Sequence, residues 1–294
     1  MEMGFFLGCN MPAIRPDLER AIRATMPDLG VDLVEMEGYV CCPAFGSFPS
    51  TDDESHLAAS GWNLSIAEEK EIDILVECGS CYSSLSMGRH LLMEDAKKRA
   101  HVNTLLEPTG RSVTGKSKVR HITDVLYNEV GTEKIKQALK HSLQGLHCVV
   151  QYPCHTLYPS NIVGFEKSAR KPVAMENLVR ALGAEVDPFS REHQCCGGAG
   201  GFTNNSPKEA TAFIKEKFDA ILEETQADCI VTSCITCLMH LDNIQKTLNE
   251  QLGEEKYTLP VFDYSQLLAL CMGCDPAQVA CISTMPRDAI LNRF

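Results

Sequence analysis

Short apolar runs alternate along this chain with longer stretches in which apolar residues recur every three or four positions. The runs at 4–8, 32–35, 72–76, 147–152, 185–188 and 229–232 predict strands. The helical periodicity covers 17–25, 54–71, 84–100, 132–141, 171–182, 207–224 and 237–248. Strand and helix alternate throughout, which is the order of an α/β fold on mainly parallel sheets. Loops from several strands then meet at the carboxyl edges, so sites are expected there.

The order of elements occurs twice. Lys140-His141-Ser142-Leu143-Gln144-Gly145 precedes a new apolar strand, so the chain is read as two tandem domains, 1–144 and 145–294, each of ordinary domain size. With 44% hydrophobic residues and 294 in all, both can bury a core. No run approaches 18 consecutive apolar residues, and Met1-Glu2-Met3 leads at once into Gly4-Phe5-Phe6-Leu7-Gly8-Cys9 without a basic region. The expectation is a cytoplasmic protein with no membrane span. A net charge of −12, from 39 acidic against 27 basic residues, excludes tracking of a nucleic-acid backbone.

Fifteen cysteines change the picture. An odd count cannot pair completely, and a reducing cytoplasm disfavours structural disulfides, so metal ligation is the better starting point. Their spacing is more informative than their number. Cys9, Cys41-Cys42 and Cys78-Gly79-Ser80-Cys81 in the first half recur as Cys154, Cys195-Cys196 and Cys234-Ile235-Thr236-Cys237, at offsets of 145, 154 and 156 residues. Around them, Cys41-Cys42-Pro43-Ala44-Phe45-Gly46 corresponds to Cys195-Cys196-Gly197-Gly198-Ala199-Gly200, and residues 121–126 loosely to 261–267. The Cys78 and Cys234 motifs are placed at helix starts, where unpaired N–H groups favour thiolate.

A C-x-x-C pair alone suits zinc, an iron–sulfur centre or thiol exchange. Adjacent cysteines fit a mononuclear tetrahedral site awkwardly, because their side chains diverge, whereas a cluster with separated irons accepts both. Five cysteines per repeat also exceed the four of one zinc or one ordinary cubane. Iron–sulfur binding is favoured on these grounds, with zinc and buried free thiols still open.

The duplicated C…CC…CxxC pattern, with Tyr152-Pro153-Cys154-His155 and Cys195-Cys196-Gly197-Gly198-Ala199-Gly200-Gly201 in the second half, resembles the paired CCG-type domains of the B subunit of methanogen heterodisulfide reductases. The resemblance covers nearly the whole chain. It implies two noncubane [4Fe–4S] clusters, held by Cys9, Cys41, Cys42, Cys78 and Cys81 and by Cys154, Cys195, Cys196, Cys234 and Cys237. It further implies reduction of CoM-S-S-CoB to coenzyme M and coenzyme B in two successive one-electron steps, the irons accepting the separated sulfurs. The implied partners are an iron–sulfur C subunit and a flavin-containing A subunit, with a hydrogenase or formate dehydrogenase in the larger assembly. Related domains occur in thiol-linked fumarate reductases, lactate-oxidation proteins and glycerol-phosphate dehydrogenase assemblies, so another electron-transfer role is the alternative reading. Pro43 departs from the glycine of the second half and removes a backbone donor there.

Other residues carry weaker signals. Glycines 197, 198, 200 and 201 are read as permitting both a tight turn and close backbone approach, and their pattern is not a dinucleotide fingerprint. His155 is the better candidate for proton delivery or substrate contact, and His193 the weaker. Lys208 and Arg89 read as ordinary helix-surface charges. Cys148 and Cys229 read as core thiols, and Cys271, Cys274 and Cys281 as packing residues rather than a third metal site. The tract 110–118 is either an interface or an exposed loop.

Overall fold

The computed structural model describes residues 1–44 and 48–294, so Phe45 and Gly46 of the first CC loop lie outside the described residues. Two four-stranded parallel sheets carry the fold. The first has the order β2-β1-β3-β4, from Asp32–Glu35, Glu2–Phe6, Asp73–Val76 and Val119–His121. The second repeats it as β6-β5-β7-β8, from Glu185–Val186, His147–Gln151, Cys229–Thr232 and Val261–Asp263. Central strands of a parallel sheet are covered on both faces, which explains the unbroken apolar runs Ile74-Leu75-Val76 and Cys229-Ile230-Val231, all buried. Within the second core Cys148 and Cys229 are register partners on β5 and β7, their sulfurs 3.5 Å apart, as expected of core thiols.

In both sheets the strand order reverses direction between the first and third strands of the half, which is where loops diverge and a site opens. Cys9 follows β1 and Cys78 follows β3, while Cys154 follows β5 and Cys234 follows β7. Cys78 and Cys234 are the N-cap residues of the helices Gly79–Glu94 and Ile235–Leu252, as the sequence predicts.

Three expectations change. The helix predicted over 84–100 is two helices, Gly79–Glu94 and Ala96–Leu106. Asp95 between them is extended, and its carboxylate accepts from the N–H groups of Lys97 and Lys98, starting a new helix in place of continuing the old one. The edge strands β4 and β8 were not predicted, because three residues are too few to show a period. The tract 110–118 is not a free loop, since Thr114, Gly115 and Lys116 all donate backbone N–H groups to the Glu68 carboxylate.

The halves are interleaved beyond simple contact. The helix Tyr264–Cys271 packs against Pro16–Thr25 of the first half, where Gln266 Nε2 donates to Asp17 Oδ2 at 2.7 Å. Reciprocally, Tyr127 of the first half accepts from Asn177 of the second at 3.1 Å. Tyr82 donates to the carbonyl of Val163 at 2.8 Å, and Thr123 donates to Ser233 Oγ at 2.9 Å. These buried cross-contacts fix one relative placement of the two sheet edges.

Candidate functional site

The structure gathers all ten cysteines of the duplicated pattern at that junction. In the first half the thiols follow one another in the order Cys9, Cys41, Cys42, Cys81, Cys78, the Cys42 and Cys81 sulfurs being 2.8 Å apart. In the second, the order Cys154, Cys195, Cys196, Cys237, Cys234 is the same, with sulfur separations of 3.6 Å for Cys154 and Cys195 and 3.2 Å for Cys196 and Cys237. Cys78 and Cys234 come together at the junction, each contacted from the other's helix start, so the two sets of five meet. The other five cysteines are placed differently. Cys148, Cys229 and Cys271 are buried, Cys274 is half-buried and Cys281 exposed.

Contacts across the junction involve the sulfurs directly. Gly79 N–H of the first half donates to Cys234 Sγ at 3.3 Å, and Thr236 Oγ1 of the second lies 3.6 Å from Cys78 Sγ. Each motif opens a helix whose first turn leaves donors free, and each helix start points a donor at the other half's sulfur.

The electrostatics follow from this crowding. Hydrogen bonds from the Cys41 and Cys81 thiols pull Cys42 down to about 5, against the opposing effect of burial. Bonds from Cys154 and Cys196, with the Gly197 N–H, bring Cys195 down to about 2. Cys196 in turn is pushed up to about 12, chiefly by its bond to Cys195. Cys78 lies well below the usual thiol range through bonds from Cys234 and Cys81, whereas Cys234 is raised. Cys42, Cys78 and Cys195 are thus favoured as thiolates, the form that binds metal, while their neighbours Cys41, Cys81, Cys154 and Cys237 are raised as donors to them or by burial. Among the described residues no group of three or more His, Cys, Asp or Glu side chains is arranged to hold a single metal ion. A contiguous soft donor set of five thiols in each half fits an iron–sulfur cluster by its chemistry.

The glycine-rich loop does both things expected of it. Gly197, Gly200 and Gly201 have φ of +80°, +72° and +76°, and a Cβ on Gly198 would come within 2.7 Å of His240 Cβ. The loop therefore lies against that helix with Gly197 and Gly198 donating N–H groups to Cys195 and Cys196 sulfurs, at 3.3 and 3.4 Å. Pro43 stands where Gly197 does and has no N–H to give.

His155 lines a narrow cleft with Cys154, Cys195 and Cys234 of its own half and Gly79 of the other. Burial lowers its proton affinity, opposed by the charges of Cys195 and Cys78. His193 is exposed, its Nε2 3.3 Å from the Glu192 carboxylate. Lys208 is exposed, and Arg89 is tied to the Ser117 carbonyl at 2.8 Å. The larger surface hollows, such as one of about 460 Å³ bounded by Glu68, Glu69 and Glu71, lie away from the cysteines.

Sequence reasoning missed Glu77, Asp263 and Lys217. Glu77 is buried beside Cys78, accepts from Ile235 N–H across the junction at 3.2 Å, and is raised well above the carboxylate range by burial and then by Asp263. Its signal was an acidic residue ending an apolar run just before a cysteine motif. Lys217 is 1% exposed and donates to Gln151 Oε1 at 2.5 Å. Its signal was a lysine on the apolar stripe of Ala210, Ile214, Phe218 and Ile221.

Comparison with known proteins agrees with this duplication. The family model described as "CCG: Cysteine-rich domain" matches residues 3–86 and 148–242. A protein of Archaeoglobus profundus described as like the B subunit of heterodisulfide reductase is 40% identical over all of this chain and 98% of its own length. The B subunit of the ferredoxin:CoB-CoM heterodisulfide reductase of Methanosarcina mazei is 34% identical over 95% of this chain and 91% of its own. The "8-methylmenaquinol:fumarate reductase membrane anchor subunit" of Wolinella succinogenes is 33% identical over 92% of each. A crystal structure of a hypothetical protein from Helicobacter pylori shares the fold, with a TM-score of 0.72 at 10% identity, over 95% of this chain and 50% of that one.

Proposed function

This chain belongs to the family of proteins that resemble the B subunit of heterodisulfide reductase and carry CCG cysteine-rich domains, and on that premise we propose that a heterodisulfide is reduced on it. The family membership makes it an iron–sulfur-associated oxidoreductase. The observation that carries the finer reading is the meeting of two complete five-thiol sets, with Gly79 donating to Cys234 and Thr236 beside Cys78 across the junction. One disulfide has two sulfurs to receive, and this junction offers two matched sites.

The ligands of the first site are Cys9, Cys41, Cys42, Cys78 and Cys81, and those of the second Cys154, Cys195, Cys196, Cys234 and Cys237. Bound there, two noncubane [4Fe–4S] clusters would supply successive one-electron steps and iron sites for the separated thiolates. The chain's own residues do the rest. Gly197 and Gly198 donate N–H groups to the second set, while Gly79 and Thr236 fix the spacing of the two sets. The role of contacting the substrate and passing on a proton falls in this reading to His155, supported by its position in the cleft beside Cys154 and Cys195.

The substrate in this reading is CoM-S-S-CoB, which takes two electrons and two protons to give coenzyme M and coenzyme B. The electrons come through an iron–sulfur C subunit and a flavin-containing A subunit, with a hydrogenase or formate dehydrogenase further upstream. The domain division is 1–144 and 145–294, and the location cytoplasmic. Among the described residues no helix is long and apolar enough to cross a membrane. The 33% identity to a component of a fumarate reductase favours a second reading, the same two clusters serving another substrate or electron-transfer chain.

Anaerobic purification with iron, sulfide and zinc analysis, then CoM-S-S-CoB turnover with a low-potential donor, tests both. About eight iron atoms per chain are expected of two four-iron clusters, together with turnover of the mixed disulfide. Zinc without iron would overturn the cluster assignment, and clusters without turnover would leave the second reading.

A further inference from the structure

The two sites share a backbone plan but not an electrostatic environment. Phe6 and Gln151 stand three residues before Cys9 and Cys154, and Asn63 follows Cys41 at the interval by which Lys217 follows Cys195. In the first half these positions are uncharged. Asn63 takes the N–H of Val40 at 2.9 Å and donates to its carbonyl at 3.0 Å, holding the loop that enters Cys41. In the second half Lys217 Nζ donates to Gln151 Oε1 at 2.5 Å and reaches the Glu192 carbonyl at 3.4 Å, holding the loops that lead to Cys154 and Cys195. The residue at this position is neutral in the first half and a lysine in the second, and each ties the segment before the CC pair by its own bonds.

Lys217 is 1% exposed, and its hydrogen-bond acceptors among the described residues are neutral. Its ammonium also lies 5.5 Å from the centre of the Phe189 ring. A buried cation without a counter-ion is costly, and through Gln151 and the Glu192 carbonyl this one stands behind the segments that carry Cys154 and Cys195, the latter favoured as a thiolate. Burial brings its pKa down to about 8, while Cys196, Cys237, Cys195 and Cys154 work to keep it charged. The histidines near the sulfurs do not balance it, for His56, His121, His155 and His240 are all pushed by burial toward the neutral form, and burial likewise raises Glu77, beside Cys78, and Asp263 toward their uncharged forms. Gly197 adds a second difference, donating to Cys195 where Pro43 can donate nothing to Cys41.

We propose that Lys217 makes the two sites inequivalent, holding the second set of cysteines at a higher reduction potential than the first. This inference rests on the iron–sulfur reading above. A buried positive charge in a low-dielectric surrounding favours the more negative, reduced form of a neighbouring redox group. The first electron from the external one-electron iron–sulfur donor therefore settles at the second site. That step makes and breaks no bond, oxidising the donor by one electron and reducing the site by one. The second electron goes to the first site, so the pair is loaded in a defined order. Lys217 is in this account a positioning residue for charge and not a catalytic one.

The test is an anaerobic reductive titration followed by electron paramagnetic resonance, with iron and sulfide measured on the same samples, for wild type, Lys217→Gln and Lys217→Arg. Two separated one-electron steps are expected in wild type. Lys217→Gln should move the upper step down toward the lower and leave the lower in place, whereas Lys217→Arg should keep both at their wild-type positions. Coincident steps in wild type, movement of the lower step or of both equally, or an arginine variant that behaves like the glutamine variant would overturn the proposal. Loss of iron in both variants would make Lys217 a structural tether and overturn it as well. Absence of iron and sulfide from wild type would sink the cluster reading itself, a result distinct from a cluster-bearing protein with unmoved potentials.

Discussion

Gly79 donates its backbone N–H to Cys234 Sγ at 3.3 Å, so the first residue of a helix in one half touches a proposed cluster ligand of the other. With Thr236 beside Cys78 at 3.6 Å, the relation is reciprocal. The distance between the two cysteine sets is thus built into the helix starts that carry them, through a backbone donor on one side and a short threonine side chain on the other.

Gly79→Ala tests how tightly that distance is held. A Cβ there would lie 3.3 Å from Pro153 Cβ and 3.5 Å from Cys234 Sγ, and the proline ring has little room to yield. We expect a stability loss of about 1–2 kcal/mol, the usual size for mild overpacking, in denaturant unfolding. An unchanged midpoint would mean that the halves are not in firm contact at this point.

Asp17→Asn addresses the interleaving farther from the cysteines. Asp17 is buried, pairs with Arg15 at 3.0 Å, and also accepts from Gln266 of the second half at 2.7 Å. Removing its charge strands a buried guanidinium, which typically costs about 3–5 kcal/mol. Limited proteolysis should then cut the 264–294 segment sooner than in wild type. Equal resistance of the two proteins would refute the claim that this contact clamps the halves.

Much of this arrangement was legible in the sequence because a parallel sheet turns strand order into ligand position. Cys9, Cys78, Cys154 and Cys234 follow strands that the apolar runs marked, and the repeated offsets paired them across the halves. What escaped were features set by tertiary contact. The three-residue strand Val119–His121 owes its existence to β3 beside it, and the break at Asp95 turns on a cap and not on hydrophobic period. The Glu77 and Asp263 pair spans 186 residues of sequence and exists only because the halves meet. Lys217 was visible as a charge on an apolar stripe, but nothing local said what it faces.

His121 provides a pH prediction with a definite sign. It is fully buried, accepts the Thr123 N–H and bonds to the Glu77 carbonyl at 2.8 Å. Burial brings its pKa down to about 4 from the ordinary 6.5. Its folded value is depressed, so the unfolded chain takes up the proton first. The stability it supports is complete above about pH 6.5 and is lost as pH falls toward 4. Between pH 7 and 5 wild type should lose on the order of 2 kcal/mol more than His121→Gln, measured by anaerobic denaturant unfolding. Parallel losses in both proteins would show that His121 is not the group responsible.

The division of the fifteen cysteines into ten ligands and five others can be tested with one variant of each kind. Cys148 faces Cys229 at 3.5 Å inside the second sheet, with both side chains buried between β5 and β7. Neither is linked to the ten by any bond among the described residues, and Cys148→Ala removes only a small buried group, at a cost of about 1 kcal/mol. Iron and sulfide should stay at the wild-type level. Cys42 sits in the middle of the first sulfur chain, bonded to both Cys41 and Cys81. Cys42→Ala opens that chain, so iron should fall to about half while the second site keeps its complement. Iron loss on Cys148→Ala equal to that on Cys42→Ala would contradict the division, because the sheet interior would then be part of the cluster site. Full iron in Cys42→Ala would instead remove this cysteine from the ligand set and leave the first site with four.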